Sequence, residues 1–277
     1  MLTKIFLYFG ALLGIAFIIL AIVQLKNEQQ VDRIWRSLPG IPTGDRFTKD
    51  MVAELPPPVQ RYFLHSIAPG TSLASSVCLE MSGSFRMVQD QPWIPMRAKQ
   101  ITSVLKGFVW KAVIDNGWFK FMGADYYANK CGGMCFSLWG LIPLVNARSS
   151  DITRSSIGRF AGEFFWLPSA LLPQRNVNWK AIDERTIQAN FKIDGERIIL
   201  TLIIDVDGKL LKLFFPRWGQ HISDGSYSYI PFGENSQKKG HLADLQFPPK
   251  LLQAGGLAQT IIQSFFEQKL SKLSFIK

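Results

Sequence analysis

Histidine and cysteine are scarce in this chain, with three of each among 277 residues: His65, His221 and His241, and Cys78, Cys131 and Cys135. The histidines are too scattered for the usual hydrolytic constellations, and no H-E-x-x-H, G-x-S-x-G, P-loop or G-x-G-x-x-G pattern occurs. A structural zinc site needs four ligands, and "CGGMC" offers two thiols with no second cysteine pair or neighbouring histidine. No metal and no cofactor is expected on those grounds. On a strand, Cys131 and Cys135 would share a face too far apart for a disulfide, so two free buried thiols are the expectation. The low, odd cysteine count leaves the redox compartment open.

Concentrated positive charge is also lacking. The chain carries 31 Lys+Arg against 21 Asp+Glu, a formal +10, yet no run of basic residues is longer than two. A nucleic-acid partner is therefore not expected. Long hydrophobic runs are confined to one place. Residues 5–23, "IFLYFGALLGIAFIILAIV", carry no charge and lie between Lys4 and Lys26. About 20 such residues cross a hydrocarbon core, so the bilayer itself is an expected partner through this segment. A cleaved signal peptide would have a shorter apolar region and a small-residue cleavage site, which "AIVQLKN" does not supply. Lys26, Arg33 and Arg36 against Lys4 tilt the following domain towards the cytoplasmic side, but long domains cross regardless of charge, and the side stays open.

The remainder has ample material for a core, at 47% hydrophobic residues. After the apolar segment, "VDRIWRSL" continues as helix, "PGIPTGD" reads as a linker, and "PPPVQRYFLHSI" places Val59, Phe63 and Ile67 at helical spacing. The expected division is an anchor over 1–26, a helical and Pro/Gly-rich linker over 27–58, and a single antiparallel β-rich domain over 59–277. From about residue 76 the period becomes two. Val77, Leu79 and Met81 alternate with Glu80 and Ser82, and Phe108, Trp110, Ala112 and Ile114 share a face. Asp194–Gly195 and Asp207–Gly208 predict two-residue hairpins within a four-strand meander over 177–217. Between the strand-rich halves, Ile157, Phe160, Ala161 and Phe164 form a helical stripe that ends before Pro168. The predicted fold class is α+β: an N-terminal transmembrane helix, then a curved, mostly antiparallel half-barrel sheet packed on a central helix. For "LAQTIIQSFFEQKLSKLSFIK" the pattern leans slightly to helix, with a strand as the alternative.

Chemistry, if there is any, centres on "RFAGEFFWLPSALLP". Arg159 and Glu163 stand one helical turn apart beside the apolar stripe. The plain reading is a salt bridge at the helix edge, which when exposed contributes about 0–1 kcal/mol. The functional reading is a pocket in which Glu163 lies with Trp166 and Trp110, desolvated enough to act as an acid or to hold a polar head group. Asp125 in "GADYY" is a second carboxylate to weigh, although turn or cap residues are commoner. Eight tryptophans and 21 phenylalanines would suit an apolar pocket as well as a core.

Taken in order, "LPPPVQRYF", "FVWKA", "ADYY" followed by "GGM", "RFAGEFFWLPSALLP", "VNWKAID" and "YIPFG" resemble an uncharacterised family of bacterial membrane-anchored proteins, a domain of unknown function, over roughly residues 55–275. That resemblance implies no activity and no site residue. One departure is Gly255–Gly256, where the family tends to have Gly-Trp. More distantly, the element order is similar to the half-barrels that carry lipoproteins between membranes. Three functions follow in order: a membrane-tethered binder of a lipid or other apolar molecule, an enzyme on a lipid-like or glycan substrate using Glu163 or Asp125, and a scaffold for another membrane protein whose identity is unknown.

Overall fold

The computed structural model describes residues 2–40, 44–86, 92–221, 224–235, 241–242 and 265–276. Helix α1 (Leu2–Ser37) is unbroken, and at 1.5 Å per residue it is about 54 Å long. It is long and apolar enough to cross a membrane. Its first half is exposed, from Ile5 to Ile22. Its second half is not, because Asn27, Val31 and the following Leu38 are buried at helical spacing. Helix α2 (Pro57–Ser66) opens with proline at its first turn, where a missing N–H costs nothing, and buries Val59, Tyr62 and Phe63.

The strands are β1 (Ser76–Arg86), β2 (Ile94–Ser103), β3 (Gly107–Asp115), β4 (Lys120–Ala128), β5 (Cys131–Leu138) and β6 (Ile142–Ala147). Helix α3 (Ser150–Gly162) follows, and then β7 (Asn178–Ala181), β8 (Thr186–Ile193), β9 (Glu196–Ile204), β10 (Leu210–Gln220), β11 (Tyr227–Asn235), β12 (His241–Leu242) and β13 (Phe265–Ile276). Among the described residues all thirteen join one antiparallel sheet in the order β6-β5-β4-β3-β2-β1-β13-β12-β11-β10-β9-β8-β7. Each half is a meander, and β13 joins them by pairing with β1 along its whole length, from Ser76↔Ile276 to Arg86↔Phe265. The ends of the order, β6 and β7, do not meet, so the curved sheet stays an open half-barrel. Register shifts at Glu80/Met81, Phe136/Ser137 and Leu210/Lys212 add local twist.

Helix α3 carries the chain from one sheet edge to the other and packs against β4, β5, β9 and β10. Ser149 caps it by accepting the Ile152 N–H at 3.1 Å. Ile157, Phe160, Ala161 and Phe164 are buried in the main core with Phe108, Trp110, Leu200 and Phe215.

Several expectations need correction. The C-terminal stretch leaned to helix, but Phe265–Ile276 is a strand, because the edge of β1 offers a full hydrogen-bond ladder that outweighs a weak helical pattern. Residues 257–264 and Gly255–Gly256 lie outside the described residues. The Asp194–Gly195 hairpin holds, with φ of 46° and 89°. The Asp207–Gly208 connection is longer than two residues, since the Asp205 carboxylate accepts from the N–H groups of Asp207 and Lys209 and organises a wider loop. In that loop Gly208 has φ 88°, and a Cβ there would come within 2.2 Å of the Arg61 carbonyl oxygen. Helix α3 ends at Gly162, a turn earlier than Pro168 alone would require, and a 3-10 turn spans Glu163–Trp166.

Candidate functional site

Strand register brings the interior polar residues together. Gln100 on β2 faces Trp110 on β3, and Trp110 faces Asp125 on β4. All three share the parity of Phe108 and Ala112, so they point to the concave side, beneath the end of α3. From above, Arg159 donates through Nη1 to Asp125 Oδ2 at 2.6 Å and lies 3.5 Å through Nε from Glu163 Oε1. Its guanidinium sits 4.9 Å from the Trp110 ring and 5.3 Å from Phe108. The second oxygen of Glu163 accepts from Gln100 Nε2 at 2.8 Å, and Gln100 also donates to Thr102 at 3.1 Å. A second cation, Arg217 on β10, is fully buried and donates to the Ser155 carbonyl and hydroxyl at 3.0 and 3.1 Å. Burial, reinforced by the neighbouring Arg159 charge, pulls the Arg217 pKa down to about 10, against the upward pull of Asp125 and Glu163.

Two guanidinium groups and two carboxylates therefore neutralise one another in a closed interior. Arg159, Glu163, Asp125 and Trp110 are together, as a shared site requires. Trp166 is only half-buried, and its ring lies tilted by 40° against that of its neighbour Phe165, with centroids 4.2 Å apart. Asp125 is neither a turn nor a cap residue. It is buried in mid-strand, where the guanidinium of Arg159 replaces water. The Arg159–Glu163 pair is likewise buried and tied to two strands, so the weak exposed-edge bridge does not describe it. Sequence reasoning missed Gln100 and Arg217, yet a signal existed: both occupy inward positions in alternating strands, alongside Ala98 and Thr102 and alongside Leu213 and Phe215.

The outer face differs. There the second half of α1 crosses the first meander, and Val31, Leu38, Ile101, Val109, Ala124, Tyr126, Ala128 and Cys135 form a second, smaller core. Sequence periodicity had left this strand face to solvent. The crossing leaves an open groove of about 820 Å³ between helix and sheet. Val31 and Trp35 form its helical wall, and Val113, Met122, Ala124 and Cys135 contribute to its mainly apolar floor. Charges stand around it: Glu28 and Asp32 on α1, and Glu80, Arg97, Lys99 and Lys111 on the strands. Lys111 pairs with Asp32 and lies 5.1 Å from the Trp35 ring, and Lys99 is 3.3 Å from Glu80. Of the "CGGMC" thiols, Cys135 is buried, and burial raises its pKa, whereas Cys131 at the start of β5 is exposed, against the expectation that both are buried. Neither is in a disulfide. Among the described residues no group of three or more His, Cys, Asp or Glu could hold a metal ion.

Residues 53–275 match the family of unknown function DUF6920, and the chain belongs to that family. No curated protein matches. Among solved structures the chain is similar to a domain assigned as an outer membrane lipoprotein-sorting protein from Vibrio parahaemolyticus, at 13% identity and TM-score 0.28 over 73% of this chain and 85% of that one. It is also similar to a DUF1329 family protein from Desulfovibrio piger ATCC 29098, at 12% identity and TM-score 0.29 over 82% and 91% of the two chains.

Proposed function

We propose that this member of the DUF6920 family is a single-pass, membrane-tethered domain that binds a lipid or another apolar molecule without transforming it. The observation that carries this reading is the groove between α1 and the convex face of the sheet. About 820 Å³ lies in the usual range for a small-molecule site, and an apolar floor with a few polar groups at the rim is the usual chemistry of one. Its position adds support. One wall is the same unbroken helix whose exposed half is suited to the bilayer, so an acyl chain leaving that bilayer beside α1 has a short route to the floor. At the rim Arg97 is placed to meet a head group, and Lys99 and Lys111 would do so by exchanging their partners Glu80 and Asp32 for it.

The interior cluster fits a structural clamp better than a catalytic pair. Both oxygens of Glu163 lie against donors, and Asp125 is bonded to Arg159, so each carboxylate is already engaged. The test is to isolate the full chain from its native membrane in mild detergent and to analyse bound lipid by native mass spectrometry, beside a Val113→Trp variant that fills the groove. The wild type is expected to retain lipid that the variant loses. A wild type that emerges bare, and stays bare when titrated with phospholipid and free fatty acid, would sink the proposal.

A further inference from the structure

The course of α1 over the sheet bears on a second feature. Traced backwards from its end, the helix is fastened first by Lys106 Nζ, which donates to the Ser37 and Pro39 carbonyls at the β2–β3 turn. Next comes Asp32 with Lys111 on β3. Then Gln30 donates to the Tyr126 hydroxyl on β4 at 3.4 Å and accepts from Arg148, just after β6, at 2.8 Å. The helix thus walks across β3 and β4 towards the edge strand β6. Its apolar half leaves the sheet on that side, the run ending at Val23 about 10 Å beyond Gln30.

At that same edge the molecule exposes large apolar side chains. Ile142 and Leu144 of β6 are 39% and 37% exposed, and Trp139 in the β5–β6 turn is 56% exposed. Trp139 Nε1 donates to the Trp118 carbonyl at 3.1 Å, which ties in the β3–β4 turn, whose Trp118 is 90% exposed. Lys120 is exposed in the same corner, its carbonyl accepting the Trp139 N–H at 2.7 Å.

The turn itself supplies an independent observation. Trp139 has φ 53° and is followed by Gly140 at φ 71°, a tight hairpin of the kind that favours asparagine or glycine at its first position. A tryptophan there carries left-handed backbone strain of about 1–3 kcal/mol, and more than half of its surface remains in solvent. Neither burial nor turn geometry accounts for the residue. Amphipathic rings at a membrane–water boundary do, since tryptophan concentrates at that depth and a lysine beside it can reach the head groups.

We infer that the corner formed by Trp118, Trp139, Ile142 and Leu144 is a second membrane contact, seated in the head-group layer beside α1. It rests on the tether reading and adds that the domain is fixed in orientation on the bilayer rather than swinging from the helix. The test uses the full chain in nanodiscs of phosphatidylcholine brominated near the glycerol end of its acyl chains, with tryptophan quenching as the readout. The double variant Trp118→Phe, Trp139→Phe is expected to lose a large part of the quenchable fluorescence. Trp139→Gly is expected to lose its share while the thermal midpoint holds or rises, because glycine adopts the turn without strain. A Leu7→Trp variant, near the end of the apolar run and so at the depth of the bromines, reports α1 separately. If Leu7→Trp adds quenchable fluorescence and the double variant quenches as the wild type does, the corner contact is overturned and the tether stands. If Leu7→Trp adds none, both fall together.

Discussion

The two faces of the first meander bury charge in opposite ways. On the concave face Arg159, Asp125, Glu163 and Gln100 are shut under α3, where Arg159 bridges Asp125 and Glu163 and Gln100 donates to Glu163. On the convex face Glu28, Asp32, Arg97, Lys99 and Lys111 surround a floor of Val113, Met122 and Ala124 that α1 covers only in part. A closed set of opposite charges fixes a structure and leaves little for a ligand to gain. An apolar floor with a charged rim, open on one side, is the surface that still has free energy to release on binding. The difference moves the candidate site from the residues with the most conspicuous chemistry to those with the least.

Predictions that would break or sharpen this contrast run from large to small. Arg159→Ala removes the cation between two buried carboxylates, and breaking a buried pair in this way costs about 3–5 kcal/mol. Urea unfolding of the protein in detergent is expected to show that loss, and a change below about 1 kcal/mol would mean the interior is wetter than its packing implies. Glu163→Gln keeps the shape and a hydrogen-bonding end but loses the charge, so a smaller loss of about 1–3 kcal/mol is expected, with lipid retention unchanged. Loss of lipid from a stable Glu163→Gln protein would instead move the site to the concave face.

A third prediction concerns pH. Burial pushes the Glu196 carboxyl up, but its hydrogen bonds with Arg154 and Tyr229 and the Arg154 charge outweigh that and hold it below the ordinary range. A carboxylate with a lowered folded-state pKa contributes stability above its unfolded value of about 4.3 and loses it as pH falls through the folded value. The thermal midpoint should therefore fall on acidification below about pH 4.3, and it should fall less in Glu196→Gln. Equal slopes for the two proteins would show that the Arg154–Glu196 pair, 3.0 Å apart, adds nothing to stability. The smallest effect on stability is expected from Lys99→Ala at the groove rim, where the exposed pair with Glu80 contributes about 0–1 kcal/mol. Its consequence should appear as weaker retention of anionic lipid. A rim variant that leaves both stability and lipid untouched would show that Lys99 only solvates the surface.

Much of the architecture was legible because alternation and turn chemistry are local. Val77, Leu79 and Met81, then Phe108, Trp110 and Ala112, read as inward positions and are buried. Asp194–Gly195 read as a hairpin and is one. Long-range pairing was not legible: β13 is a strand because β1 lies beside it, which no window over residues 265–276 contains. The interior site was half legible. Arg159 and Glu163 were visible as a helical pair, but the strand partners Asp125 and Gln100 meet them only through register and curvature. The groove was invisible, since it depends on α1 folding back over a strand face whose Lys99, Lys111 and Glu80 look fully solvated in sequence. The helical stripe of Val31, Trp35 and Leu38, continuing past the apolar run without a break, was the signal that could have revealed it.

The central claim, that the ligand is held on the convex face beside α1, is tested most directly by photo-crosslinking. The full chain in its native membrane would be loaded with a diazirine-bearing fatty acid or phospholipid, irradiated, and mapped by peptide mass spectrometry. The account predicts adducts on the peptides carrying Trp35, Val113 and Met122, lost on prior filling of the groove by Val113→Trp. Adducts concentrated around Glu163 and Trp110, or an identical pattern in the filled variant, would contradict it.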